Sequence, residues 1–376
     1  MLLRFPNYSL GFRILALAKS TDTVNYLQEN GLSALSLCNE DLRIMPDNIV
    51  LSDNEAILHK ISLCEEGDVF ELTEQGELYL SYDLKSEDNA FVLTNHCNSN
   101  CIMCPSAEYS RKNGNSVTIE YLLNYIRYLP EDAVHLTITG GEPYLIGRPI
   151  FTFFSALKEK YKDTTFLLLT NGRIFSVPEY CFATNSSLPP RTVIGIPVHG
   201  PNSEIHDAIT QAAGSFEQTN IGIKNMIALG RMVELRIVVS RLNAAYITDI
   251  ARLFVHEYSG ASSVKIMGLE MLGSAAVNRE KVWITYKEAF QKSKEAISLL
   301  IANGFDVQLY NFPLCSVERK YWNICAKSIS ADKVRFAERC APCKMKDACG
   351  GLFAGSFNHA KGDVSPIQEE PYDFVF

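Results

Sequence analysis

The sequence predicts an α/β fold in which a parallel sheet covered by helices curls into a partial or full barrel. Six runs rich in Val, Ile, Leu and Thr, at 90–94, 133–139, 165–170, 192–198, 233–240 and 262–269, are each followed by a helix-compatible stretch. Strands that alternate with amphipathic helical patterns over about 220 residues imply βα crossovers, which put helices on the faces of a parallel sheet. With 376 residues, 47% of them hydrophobic, the chain has enough apolar material for a core of that size.

Residues 1–88 precede this alternation. Short alternating runs, and a charged stretch at 68–89 in which Glu71, Glu74, Glu77 and Asp83 interrupt any long apolar face, suggest a small module of short strands and turns. Its expected use is peptide or partner recognition, by strand addition to an exposed sheet edge. The barrel is expected over 89–311. Its last long segment, 281–302, places Tyr286, Phe290, Ile297, Leu300 and Ile301 on one face and stops at Asn303-Gly304, a helix C-terminal signal. From 312 to 361 the alternation ends and cysteines return, marking a cysteine-rich lobe. The last stretch, 362–376, mixes acidic residues, two prolines and three aromatics, as expected of a loose tail.

A formal charge of −8 offers no basic field for neutralising phosphates, so nucleic acid is excluded as a first choice of partner. No run reaches the roughly 18 apolar residues of a membrane span. The first 20 residues carry Arg4 and Arg13 within their apolar run and lack a secretory cleavage site. A cytoplasmic location is therefore expected. Thiols stay reduced there, so eleven cysteines point to metal or redox chemistry rather than to disulfides.

Three of those cysteines, Cys97, Cys101 and Cys104, directly follow the first barrel strand. Parallel α/β sheets carry their chemistry at the carboxyl ends of strands. Structural zinc takes four ligands and disulfides take pairs, whereas three soft ligands on one loop suit an iron-sulfur cluster with one iron left open. The alternative is a zinc knuckle completed by His96 or a distant cysteine. A second set, Cys340-x2-Cys343-x5-Cys349, gains a fourth thiolate from Cys315 and can hold zinc or a cluster. Cys325 reads as a small buried residue or a fifth ligand, and Cys38, Cys64 and Cys181 have no partners in spacing.

The spacing Cys97-x3-Cys101-x2-Cys104 resembles the signature of the radical S-adenosylmethionine (SAM) enzymes. Thr139-Gly140-Gly141-Glu142-Pro143 resembles their GGE element. Thr170-Asn171-Gly172, His206-Asp207-Ala208-Ile209 with Gly214-Ser215-Phe216, and 234–239 with Asn243 resemble elements of the peptide-modifying branch. The likeness covers about 90–350 and implies a partial (β/α)6 TIM-like barrel. It implies a [4Fe-4S] cluster on Cys97, Cys101 and Cys104 whose open iron binds SAM, with SAM contacts from Gly140, Gly141, Glu142, Pro143 and Asn171. Met103 stands where an aromatic residue is common, and is expected against the adenine. Arg236 and Asn243 are expected to reach the SAM carboxylate or ribose, with Ser240 and Arg241 as rivals because strand register is open. His199 is expected either to touch SAM or substrate or to be hydrogen-bonded at the rim, and His206 and Asp207 to order their loop.

The C-terminal cysteines resemble SPASM or twitch domains, which implies an auxiliary iron-sulfur cluster. Residues 267–278, Trp322 with Lys327-Ser328-Ile329-Ser330, and 340–353 resemble the His-Xaa-Ser system maturases called HxsC. That likeness implies a ribosomally made precursor peptide as substrate, a sibling radical SAM protein, a small helper protein, and a reductant such as flavodoxin or ferredoxin. The function so implied is reductive cleavage of SAM and hydrogen abstraction from the peptide, installing a post-translational modification. The competing readings are the same chemistry on a small metabolite, and a scaffold or activating subunit of the sibling protein.

Overall fold

The computed structural model describes residues 1–369 apart from Asn7 and Asn39, so residues 370–376 of the expected tail lie outside the described residues. The N-terminal segment builds a sheet of its own from β1 (Leu2–Arg4), β2 (Arg13–Ala18), β3 (Ala34–Ser36), β4 (Leu42–Met45), β5 (Ile49–Ser52), β6 (Val69–Leu72) and β7 (Glu77–Tyr82), in the order β1-β7-β6-β2-β3-β4-β5. Helices α1 (Thr21–Glu29) and α2 (Glu55–Ser62), which the sequence reading did not foresee, cover it. Strand β2, apolar at almost every position, is central and therefore buried on both faces. Leu15 and Leu17 pack with Phe70 and with Ile61 of α2, while Ala16 and Ala18 meet Val24 and Leu27 of α1. Ile14, Val69 and Tyr82 belong to the same apolar cluster as Phe91, Leu93 and Tyr125 of the barrel.

The second sheet holds seven parallel strands, in the order β14-β13-β12-β11-β10-β9-β8: β8 (Ala90–Val92), β9 (His135–Thr139), β10 (Thr165–Leu169), β11 (Thr192–Pro197), β12 (Met232–Val238), β13 (Ser263–Met267) and β14 (Asp306–Tyr310). Six are the expected strands, within two residues or so at each end. The seventh, β14, is added after the six expected βα units. It alternates exposed or half-buried positions with buried Val307 and Leu309, too weak an apolar run to stand out after a long helix. The described strands β8 and β14 are the two ends of the order, so the curled sheet is a half-barrel with an open side.

Helices α3 (Glu108–Asn113), α4 (Ile119–Tyr128), α5 (Pro149–Lys160), α6 (Pro178–Ser187), α7 (Ser203–Thr210), α8 (Ser215–Ala228) and α9 (Ile247–Glu257) connect successive strands, and α10 (Gly273–Val277), α11 (Arg279–Val282) and α12 (Tyr286–Ala302) join β13 to β14. Helix α12 buries Tyr286, Phe290, Ile297 and Leu300 as expected, and Gly304 follows it with φ +82°. Ile301 departs from expectation: it lies one position round from Leu300 and is 47% exposed. Beyond β14 the chain runs through short 3-10 turns, a two-stranded ribbon of β15 (Val334–Arg335) and β16 (Leu352–Phe353), and α13 (Phe357–Ala360). Phe312, Leu314, Trp322 and Leu352 of this lobe extend the barrel's apolar cluster. Among the described residues no helix is long and apolar enough to cross a membrane.

Candidate active site

The cysteine loop starts where β8 ends, and the turn after β9 holds it down. Gly141 donates its N–H to Thr94 O at 2.7 Å, and Glu142 N–H to His96 O at 2.8 Å. A Cβ on Gly141 would lie 2.1 Å from His96 O, and one on Gly140 2.5 Å from Thr94 O. The close approach that needs these glycines is therefore that of the chain's own cysteine loop. The turn after β10 grips the loop as well: Asn171 Nδ2 donates to Asn98 Oδ1 (2.6 Å), and Arg173 donates to Asn98 O (2.6 Å) and Ser99 Oγ (3.1 Å) while its Nε holds Gln218 Oε1 (2.7 Å). Asn100 and Ile102 donate their N–H groups to Thr210 O (2.9 Å) and Ile209 O (3.0 Å) at the end of α7. Three strand ends and a helix terminus thus fix a segment with no regular structure of its own.

Backbone N–H groups of Ser99 and Ser106 point at Cys97 Sγ and Cys104 Sγ, both at 3.4 Å. Burial raises the Cys97 thiol, and it pushes Cys101 up to about 12 with help from the neighbouring thiols, while Arg111 pulls both back down. Such thiols stay protonated until a cation or cluster takes the proton's place. Among the described residues no three or more His, Cys, Asp or Glu side chains are gathered as ligands of one metal ion.

Cys101, Met103 and Cys104 form one wall of a cavity of about 600 Å³ inside the half-barrel. Thr137, Leu167, Arg236, Met267 and Tyr310 line it from the five strands β9, β10, β12, β13 and β14, and His199 from the loop after β11. The cavity shares Glu87, Asp88, Glu270, Ser328 and Phe353 with a second cleft of about 910 Å³, which runs on past Asp332 and Lys333 to Met1, Leu80 and Ser81 of the N-terminal sheet. Cavity and cleft thus adjoin along these residues, which flank the first and last strands of the half-barrel. Burial raises the Glu270 carboxyl at their junction, against the opposing pull of Lys333.

Of the residues expected at the cofactor, Cys101, Met103, Cys104, His199 and Arg236 come together on this cavity. Arg236 Nε lies 3.0 Å from Glu234 Oε1, close enough for an ion pair but not aligned as a hydrogen bond, and buried Lys265 sits 3.8 Å from the other oxygen. His199 donates its backbone N–H to His206 Nδ1 (3.2 Å), and its own Nδ1 is buried without a partner. Burial, aided by His206, lowers His199 to about 3, and burial, against Asp207 and with Arg173, lowers His206 to about 4, so both imidazoles are neutral at pH 7. Asp207 orders its loop by accepting from Gly214 N, Ser215 Oγ and Phe216 N.

The other expected contacts lie elsewhere. Glu142 is 2% exposed, and its carboxylate already accepts from Thr170 Oγ1 (2.8 Å), Asn171 N (2.8 Å) and Tyr144 N (3.3 Å). Its side chain staples the β9 turn to the β10 turn, and buried Pro143 opens a 3-10 turn behind it. Asn243 is fully buried: Oδ1 accepts from Ser240 N (2.8 Å) and Nδ2 donates to His199 O (3.2 Å) and Val238 O (3.0 Å). With both polar ends of Asn243 committed to the backbone and Ser240 bonded to it, neither side chain lines the cavity. Arg241 turns outward to Glu280 O (2.9 Å). No spacing signal marks Asn98, Arg111, Arg173 or Glu270, each of which has at least one partner far away in the chain.

In the C-terminal lobe Cys315, Cys340, Cys343 and Cys349 line one small cavity of about 20 Å³. Leu314 and Gly351 donate N–H groups to Cys349 Sγ (both 3.4 Å), and Ile367 donates to Cys343 Sγ (3.3 Å). Cys325 does not line that cavity; burial pushes its thiol up to about 12, and it points at Tyr321 O. Cys38, Cys64 and Cys181 are free thiols away from both sets.

Solved structures are similar to the chain over part of its length. Streptococcus suis SuiB bound to its precursor peptide SuiA is 12% identical, with a TM-score of 0.49 over 59% of this chain and 47% of SuiB. Native anSMEcpe with bound AdoMet and the Kp18Cys peptide is 15% identical, with a TM-score of 0.46 over 58% and 62%. A radical SAM methyltransferase from Sphaerobacter thermophilus is 14% identical, with a TM-score of 0.44 over 65% and 73%. The chain thus spans less than two thirds of the length of SuiB and anSMEcpe. No curated protein matches it. The Radical SAM superfamily model matches residues 91–254, a span that holds the three-cysteine loop, the glycine turn and the strand ends that clamp them. Residues 91–254 are therefore a radical SAM superfamily domain.

Proposed function

We propose that this chain is a radical SAM enzyme that modifies a ribosomally made peptide. The observation that carries the reading is the pair of adjoining spaces: a cavity walled by Cys101, Met103 and Cys104 shares Glu87, Asp88, Glu270, Ser328 and Phe353 with a cleft lined by both the N-terminal sheet and the C-terminal lobe. A small metabolite needs only the inner cavity, whereas an extended peptide uses both. Carboxylates at Glu87, Asp88 and Glu270 line the junction and suit a peptide with a basic or imidazole side chain there. The finer reading is a precursor of the His-Xaa-Ser type, processed together with a sibling radical SAM protein and a small helper, with flavodoxin or ferredoxin as reductant.

The residues present fit a cluster on Cys97, Cys101 and Cys104. Thiols on one clamped loop receive backbone N–H bonds, as thiolates that ligate a cluster do, and a buried guanidinium lies beside them. When bound, the cluster would supply the electron for reductive cleavage of SAM and so for radical abstraction of hydrogen from the substrate. The chain's own part is placement. Met103 gives a soft apolar face at the cavity wall, Arg236 places a cation for a carboxylate, and neutral His199 offers a hydrogen-bonding nitrogen. The apolar walls exclude water from the reacting atoms. The Cys315, Cys340, Cys343 and Cys349 set would hold an auxiliary iron-sulfur cluster.

Iron and sulfide content with electron paramagnetic resonance, on anaerobically purified wild type and on Cys97→Ala/Cys101→Ala/Cys104→Ala, tests the reading with and without SAM. The expected result is a SAM-sensitive signal in wild type, lost in the triple variant while iron persists in the lobe. Zinc in wild type, with no SAM-sensitive signal, would sink it. Charge reversal at Glu87 and Asp88 is then expected to weaken peptide binding without changing SAM cleavage.

A further inference from the structure

Arg111, on α3 just after the cysteine loop, is 4% exposed. Its guanidinium spans the loop: Nη1 donates to Ser106 O, and Nη2 to Asn100 Oδ1 (2.6 Å) and Ser274 Oγ (3.1 Å), so it brackets the segment that carries Cys101 and Cys104. Its backbone O receives Cys97 N–H at 3.4 Å. All these partners are neutral, and among the described residues no carboxylate lies within ion-pair distance of it. Nε is buried with no partner at all.

A buried guanidinium without a counter-ion is strongly unfavourable, and proteins keep one only where an anion meets it. Glu108 lies one hydrogen bond further off, accepting from Asn100 Nδ2 at 2.9 Å, and the acidic groups on the bracketed loop that the guanidinium acts on are the Cys97 and Cys101 thiols, whose ionised form on a cluster is anionic and gains one further negative charge on reduction. A fixed cation beside the cluster stabilises the reduced state more than the oxidised one, which raises the reduction potential. We propose that Arg111 is the counter-charge of the cluster on Cys97, Cys101 and Cys104, a positioning residue that makes the cluster easier to reduce. This rests on the cluster assignment above.

The test is a potentiometric titration of full-length, anaerobically reconstituted protein without SAM, reading the resonance signal that the triple cysteine variant lacks. Arg111→Gln, which keeps hydrogen bonding and loses charge, is expected to lower the ratio of reduced to oxidised cluster at fixed potential roughly tenfold, about 59 mV for one electron. Arg111→Lys, which keeps charge and loses the fork, is expected to stay within about threefold of wild type. An unmoved Arg111→Gln, or an Arg111→Lys that falls tenfold, would overturn the proposal, and the lysine variant alone decides if the glutamine one does not fold. A wild type that binds no iron would overturn both this and the proposed function. A cluster-bearing wild type with unmoved variants would overturn only the role of Arg111.

Discussion

His199 and His206 pack ring against ring, with centroids 5.6 Å apart, and burial keeps both neutral. Their folded-state values of about 3 and about 4 lie below the ordinary 6.5, so between these limits the unfolded chain binds more protons than the folded one. The stability they contribute is present above pH 6.5 and is lost as pH falls towards their folded values. From pH 6.5 to pH 5 each group accounts for about 2 kcal/mol, at roughly 1.4 kcal/mol per pH unit. Urea midpoints are expected to drop over that interval, and His199→Asn to shallow the drop; an equal slope in the variant would refute the assignment. Glu142 makes a second expectation at this scale. Glu142→Ala strips the acceptor from Thr170, Asn171 and Tyr144 at once, and is expected to cost about 3 kcal/mol in urea unfolding of the metal-free protein. A loss under about 1 kcal/mol would mean that water replaces the carboxylate.

Between elements, the cysteine loop and the β9 turn meet backbone to backbone. Gly141→Ala must push His96 O away, and is expected to cost about 1–3 kcal/mol and to lower iron bound at Cys97, Cys101 and Cys104. Gly362→Ala, whose Cβ meets nothing within 4 Å, is the control, and equal iron content in the two variants would count against the clamp. That clamp also explains what the sequence could and could not tell. The three cysteines, the glycine pair and six strands are local patterns of spacing or period, readable without the fold. Strand β14 was missed because only Val307 and Leu309 of its five residues are buried. The N-terminal sheet is legible only as short strands because β2 pairs with β6 across more than fifty residues, a non-local choice. Asn243 sits on the expected loop, but its orientation depends on His199 O, 44 residues away. Arg111 leaves no signal because its anchors, Asn100, Ser106 and Ser274, form a set only once α10 has closed over the loop.

On the scale of the whole molecule, the N-terminal segment and the barrel share a core. Ile14, Val69 and Tyr82 lie in one apolar cluster with Phe91, Leu93 and Tyr125. Phe12 reaches Tyr121 at 5.9 Å between ring centroids, and Tyr121 stacks on Tyr125 at 5.7 Å. Buried Glu71 on β6 accepts from Tyr79 Oη at 2.6 Å and, across the junction, from Tyr121 Oη at 2.8 Å. Cutting the chain at residue 88 would expose this apolar face and leave the Tyr121 hydroxyl unpaired. A chain of residues 89–376 is therefore expected to aggregate or to unfold at a clearly lower urea midpoint than the full chain. Loss of peptide binding in such a truncation would then report a damaged barrel rather than a missing recognition surface. Tyr121→Phe separates the two effects, since it breaks the junction at one atom and Tyr121 does not line the cleft that holds Glu87, Asp88 and Asp332. It is expected to lower stability by about 1 kcal/mol and leave peptide affinity unchanged. If residues 89–376 instead unfold at the midpoint of the full chain, the shared core contributes nothing and the N-terminal sheet is an independent unit.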